Sequence, residues 1–259
     1  MNAPVDDLEA SRAPLLDHLV ELRKRLFFCL VAILLVFIGT YVFSREIFTV
    51  LVHPLLLAGQ TKLITVGVFD GFFVQLKVAL FAALMIAFPV IAMQLWAFVS
   101  PGLYMKEKRA LLPFLFATPV LFIVGATMAY FVAIPSALRF FYSFQGNLGG
   151  VQQEAMTSVA SYLDFVMQFL FAFGLAFLMP ILLMLVERAG LVTRKQLVSG
   201  RRYAIVGCFA LALVLAPPDA GSMIMLAVPL VGLYELALIA IWFTERKRVK
   251  VASTELVES

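Results

Sequence analysis

The chain has 259 residues, 63% of them hydrophobic and only 14% charged, with a mean hydropathy of +1.01. A soluble domain carries about a quarter charged residues, so these values exclude that class and indicate a polytopic membrane protein. The net charge of +4 is modest, and no basic stripe with interleaved aromatics lies outside the loops, which argues against nucleic acid as a partner.

The chain opens with the acidic "VDDLEA", and no small-residue cleavage site follows the first apolar run, so no cleavable signal peptide is expected. In "LLDHLVELRKRL", residues 15–26, Leu15, Leu19, Leu22 and Leu26 form a stripe at helical spacing. This predicts an amphipathic helix leading straight into the first span, with Glu21 close to the membrane. On spacing alone Glu21 pairs with Arg25 at i,i+4, a contact worth only ~0.2–0.5 kcal/mol.

Charge-free runs over Leu26–Ser44, Val78–Met105, Ala110–Leu138 and Phe165–Val186 each reach the length of about 20 residues that spans hydrocarbon. Between the first two, "VGVFDGFFVQLK" predicts an amphipathic helix lying in the outer interface or packed over the helix tops. Residues 139–161 are polar and predict a loop. Two further apolar segments are short: Ala204–Ala216, and Ser222–Tyr234 continuing past Glu235 to Phe243. The "APPDAG" between them forces a turn, because Pro217 and Pro218 cannot continue a helical ladder. The pair is either a re-entrant hairpin or two short spans, and the latter reading gives six spans. The predicted fold is therefore an all-α bundle in one membrane domain: a segment 1–25, a bundle 26–243 and a tail 244–259.

Of the 20 Lys and Arg, all but Arg45, Lys62, Lys77 and Arg139 lie in the first segment, the 100–113 hairpin, the 187–203 loop and the tail. By the positive-inside rule both termini are cytoplasmic. No internal repeat is visible, which weighs against transporters built from duplicated halves.

Catalytic groups are scarce. Cys29 and Cys208 are too far apart for a disulfide framework or metal-ligand spacing. His18 and His53 are also distant in sequence, and no zinc-protease, nucleophile-elbow or Walker pattern occurs. The expectation is a protein that is not an enzyme, with no cofactor and no metal. The polar candidates at membrane depth or at the outer ends are Gln94, Gln168, Asp219 and Glu235. Gln168 shares a helix face with Asp164, a spacing that suits a solvated interfacial pair. Asp219 suits a turn. Glu235 interrupts an apolar run, where a charge costs at least ~2.5–3.5 kcal/mol at mid-bilayer, so it is either paired or functional. Prolines 89, 113, 119, 135, 180 and 229 would bend the rods into a concave wall that suits a docked helix or a pocket equally. A secondary transporter for a small solute, with Glu235, Gln94 and Gln168 lining its path, is the alternative function.

Taken in order, "HLVELRKRL", "FPVIAMQLWAFVSPGLYMKEKRALLPF", "AYF" at 129–131, "SYLDFVMQFLFAFG", "RRYAIVG" and "LAPPD" resemble the TatC family over Leu16 to Phe243. That family supplies the receptor subunit of the twin-arginine translocase, which exports folded proteins. The resemblance implies a six-helix, glove-shaped bundle with cytoplasmic termini, in which Glu21 and Glu107 contact the paired arginines of a signal peptide. Such a role explains a carboxylate set among Lys106, Lys108 and Arg109, since guanidinium groups suit carboxylates in two-point contacts. His18, Arg23, Tyr104 and Arg109 are expected to support that site. The resemblance further implies TatA and TatB as single-span partners in a multi-subunit receptor complex, plasma-membrane lipid as the surroundings, and the proton gradient as the energy source. In a host with two membranes the location would be the inner one. One departure stands out: the polar residue that many relatives carry before the proline of the fourth span is replaced here by Leu178, and Gln168 is the residue that could compensate.

Overall fold

The computed structural model describes residues 5–60, 62–99, 108–144, 146–148, 151–153, 156–188, 190–215 and 220–255, with side chains over 18–60, 62–98, 114–144, 156–188, 190–215 and 220–245. In hydrocarbon a spanning segment must pair its own backbone groups, and the long apolar runs do so as helices. The helices are α1 (Val5–Val42), α2 (Ser44–Leu57), α3 (Asp70–Val99), α4 (Lys108–Met128), α5 (Ile134–Tyr142), α6 (Val159–Ala176), α7 (Met179–Arg188), α8 (Arg194–Ser199), α9 (Arg201–Leu215) and α10 (Ala220–Glu255). A π-helical turn, Ala129–Ala133, joins α4 to α5 ahead of Pro135. Its widened ladder accommodates the proline ring and the missing N–H. Among the described residues, five stretches are long and apolar enough to cross a membrane: His18–Val42, Asp70–Phe98, Phe114–Tyr142, Val159–Arg188 and Ala220–Glu245.

Each of the four long runs seen in the sequence overlaps one of these stretches over most of its length, and the structure corrects three other expectations. The last apolar segment is not short, since α10 continues through Glu235 for 36 residues in all. The "VGVFDGFFVQLK" stripe is not a separate interfacial helix. Asp70 sits in the first turn of α3 and accepts from the N–H of Gly67 at 2.6 Å and of Val66 at 3.2 Å, so Phe72 and Phe73 belong to the start of the span itself. The expected loop at 139–161 contains the end of α5 and an antiparallel pair, β1 (Gly146–Leu148) with β2 (Val151–Gln153), in which Asn147 faces Gln152. By contrast α9 has 15 residues, about 22 Å of helix, and is short as expected.

The chain divides into two compact units, one of residues 1–47 and 75–119, the other of 48–74 and 120–259. In the first, the hydroxyl of Thr40 donates to the carbonyl of Ala79 at 2.8 Å, tying α1 to α3. Ala79 and Ala83 are fully buried, and such small residues let helix backbones approach closely in a membrane. Trp96 Nε1 donates to Thr118 Oγ1 at 2.9 Å, and its ring stacks on Phe114, so α3 is also held against α4.

In the second unit α6 forms the core, with Tyr162, Leu163, Val166, Phe169 and Phe173 buried. Its N-terminus is capped by Ser158, whose hydroxyl accepts from the N–H of Ser161. Two tyrosines reach α2. Tyr162 donates to Leu51 O at 2.9 Å and Tyr130 to Val50 O at 2.8 Å. The second bond has a clear cause. Val50 O would ordinarily accept from residue 54, but residue 54 is a proline inside the helix and has no N–H. Tyr130 supplies the missing donor. Tyr130→Phe should therefore cost about 0.5–1.5 kcal/mol by removing that bond. In a Pro54→Ala background, where the backbone donor returns, the same change should cost much less. Thermal unfolding midpoints of the four variants in detergent would measure the difference.

Candidate functional site

The N-terminal helix α1 carries "HLVELRKR" on successive turns, so His18, Glu21 and Arg25 share one face at i, i+3 and i+7. The Glu21 carboxylate is the centre of this face. Arg25 Nε donates to Glu21 Oε1 at 3.0 Å, and Arg25 Nη2 donates to the same oxygen. Arg25 Nη1 reaches across to Gln94 Oε1 on α3 at 3.4 Å. Among the described residues, the other carboxylate oxygen, Oε2, has His18 Nδ1 near it, at 4.0 Å. The His18 ring is itself fixed by stacking on Phe98 of α3, with centroids 4.3 Å apart.

These groups border a cleft of about 350 Å³ lined by Glu21, Lys24, Arg25, Phe28 and Gln94. Small-molecule sites occupy about 300–1,000 Å³, so the cleft is large enough for a polar side chain and its stem. Its chemistry is mixed: one carboxylate, two cations, an amide and an aromatic wall. Glu21 keeps 31% of its side chain exposed and Arg25 24%, so the pair is shielded but reachable. Arg23 points to solvent, outside the cleft lining. Glu107 and Tyr104 lie outside the described residues, as does the side chain of Arg109.

Of the remaining candidates, Gln94 joins the Glu21 cleft rather than standing alone at membrane depth. Gln168 donates from Nε2 to Leu215 O at 3.1 Å, the last carbonyl of α9. The last carbonyls of a helix have no partner within it, and Gln168 supplies a donor to this one from the side. It is committed to this carbonyl and does not stand at the position of Leu178. Glu235 is paired: Arg201 Nη2 donates to its Oε2 at 2.8 Å. Beside it the hydroxyl of Tyr234 donates to Leu197 O at 2.8 Å, pinning α10 to the end of α8. Asp219 falls outside the described residues. No cluster of three or more metal-ligating side chains occurs among the described residues.

Residues 17–229 match the family profile described as Sec-independent protein translocase protein (TatC). The chain belongs to the TatC family. It is 43% identical over 246 residues to the TatC of Magnetococcus marinus, covering 94% of this chain and 89% of that protein. It is 36% identical to the TatC of Escherichia coli K12, with 86% of each chain covered. The crystal structure of the twin-arginine translocase receptor TatC in DDM superposes with a TM-score of 0.76 at 37% identity, covering 86% of this chain and 98% of that one.

A TatC protein is a component of Sec-independent protein translocation, a transport function carried out by a membrane protein. The solute-transporter alternative is not favoured, because the polar groups it would need along a path are engaged otherwise. Glu235 is neutralised by Arg201, Gln168 caps α9, and Gln94 faces the cleft at Glu21. The helical spacing in the sequence foresaw the pairing of Glu21 with Arg25. It missed Gln94, Phe28 and Phe98 as neighbours. The signal available was Gln94 itself, a lone amide in an apolar helix, which needs a polar partner when shielded.

Proposed function

We propose that this chain is the signal-peptide receptor of a twin-arginine translocase, in which Glu21 and Glu107 accept the two arginines of the export signal. The observation that carries the reading is the state of Glu21. Its carboxylate already receives a two-donor guanidinium contact, from Arg25, at the edge of a cleft. The site thus has the acceptor, the partial shielding and the space that arginine recognition needs. Glu107, which precedes α4 in the sequence, would provide the second acceptor.

In this reading both termini are cytoplasmic, as the clustering of Lys and Arg in alternate loops supports, and α9 completes a set of six spans. The membrane is the plasma membrane, or the inner one in a cell with two. TatA and TatB are the single-span partners that complete the complex, and the proton gradient drives transport, since the chain carries no nucleotide-binding motif.

The test is binding of a fluorescent twin-arginine signal peptide to the detergent-solubilised chain, beside the same peptide with both arginines changed to lysine. Charge-assisted bonds contribute about 1.5–3 kcal/mol each, so the lysine form should bind at least roughly tenfold more weakly. Glu21→Ala and Glu107→Ala should each remove most of that preference. Equal binding of both peptides by the unaltered chain would overturn the reading.

A further inference from the structure

Glu21 is the proposed acceptor for an incoming arginine, yet an arginine already holds it. We propose that Arg25 is an internal competitor for the signal arginine, and that Gln94 is the acceptor that takes Arg25 over when Glu21 is claimed. The inference rests on the receptor reading above and adds an exchange step to it.

The geometry favours exchange over a fixed scaffold. Arg25 directs two donors, Nε and Nη2, at a single oxygen of Glu21, while Nη1 already lies 3.4 Å from Gln94 Oε1. A guanidinium has five N–H groups in a rigid fork, so a small rotation of the side chain can trade one acceptor for the other. Among the described residues, Glu21 Oε2 accepts no hydrogen bond and has His18 Nδ1 4.0 Å away, which leaves it open to a second guanidinium. Entry at Oε2 would place two guanidinium groups on one carboxylate, and their repulsion would push Arg25 toward Gln94. Arg25 would remain solvated on the amide and next to the aromatic wall of Phe28, which lines the same cleft. A neutral amide suits this part, since a carboxylate at 94 would hold Arg25 permanently and an apolar residue would leave it no alternative.

A competitor lowers affinity without lowering selectivity, because an incoming lysine has to displace the same arginine with a poorer set of donors. The arrangement would keep a grip on the export signal moderate, and release of the peptide would be assisted by the return of Arg25.

The experiment measures peptide affinity on the full chain in detergent for Arg25→Gln, Arg25→Lys, Gln94→Leu and the double variant Arg25→Gln/Gln94→Leu. The hold of Arg25 on Glu21 lies between that of a helix-surface ion pair, about 2-fold in binding, and that of one charge-assisted bond, about 10-fold. Arg25→Gln should tighten the arginine peptide by that amount, with Arg25→Lys in between. Gln94→Leu should weaken it in the presence of Arg25 and have no effect once Arg25 is gone, a coupling that a double-mutant cycle isolates. Weaker binding by Arg25→Gln, or an equal effect of Gln94→Leu in both backgrounds, would overturn the exchange and leave the receptor reading standing. Failure of the unaltered chain to prefer arginine over lysine, with Glu21→Ala binding as it does, would sink both.

Discussion

Replacing Gly125 by alanine is expected to lower the stability of the second unit by about 1–3 kcal/mol or more, although alanine is the better helix former. A Cβ at this position would meet the backbone oxygen of Phe173 at 2.5 Å and the Phe177 side chain at 2.8 Å. Backbone cannot swing aside, so α4 and α6 would have to separate along their crossing. The neighbouring contact is of a different kind. A Cβ at Gly174 would meet the Phe122 ring at 2.6 Å, and that ring is buried with 1% exposure. Here a side chain is the obstacle. Phe122→Leu should therefore recover part of the loss in Gly174→Ala, while no side-chain change at Phe173 should rescue Gly125→Ala. Unfolding midpoints in detergent and steady-state levels in membranes would check both. Rescue of Gly125→Ala by Phe173→Leu would show that the backbone approach is not the limiting contact.

The two glycines show what a single sequence conveys and what it withholds. Gly125 and Gly174 each stand alone in an apolar run, and only what they face across the helix crossing, Phe173 and Phe177 for one and Phe122 for the other, gives them a purpose. The spans were legible because chain length, apolar run and bilayer thickness are all local quantities. Helix α2 was hidden by Arg45, His53 and Pro54, which break its apolar run. It persists because Tyr130, 80 residues away, satisfies the carbonyl that Pro54 leaves open. The N-terminal part of the site was legible to a similar extent. Glu21 and Arg25 are four apart on one helix, so their contact follows from helical geometry. Gln94 enters from a second helix, 69 positions on, and no period in the sequence encodes that register.

Loss of Arg201 is expected to damage the protein far more than loss of Glu235, although each change breaks the same ion pair. Glu235 lies eight residues before Phe243, the end of the apolar run of α10, which is about 12 Å along the helix. The carboxylate therefore interrupts the apolar part of the span with 41% of its side chain exposed, and an unpaired charge facing lipid there costs up to about 2.5–3.5 kcal/mol. Its side chain is short and reaches less far toward the interface than an arginine does. Arg201 stands at the start of α9, and its longer side chain can turn back toward the interface when released. Arg201→Ala should therefore lower the unfolding midpoint and the membrane level of the protein by the cost of a stranded carboxylate. Glu235→Gln should be nearly neutral, because the amide carries no charge to desolvate. The double variant should return close to the Glu235→Gln level, since neutralising residue 235 removes the reason Arg201 is needed. Equal damage from the two single changes would place Glu235 in a solvated position and reduce the pair to an ordinary surface contact. A defect in Glu235→Gln confined to protein export, with stability intact, would instead assign the carboxylate a part in transport that its pairing with Arg201 only conceals.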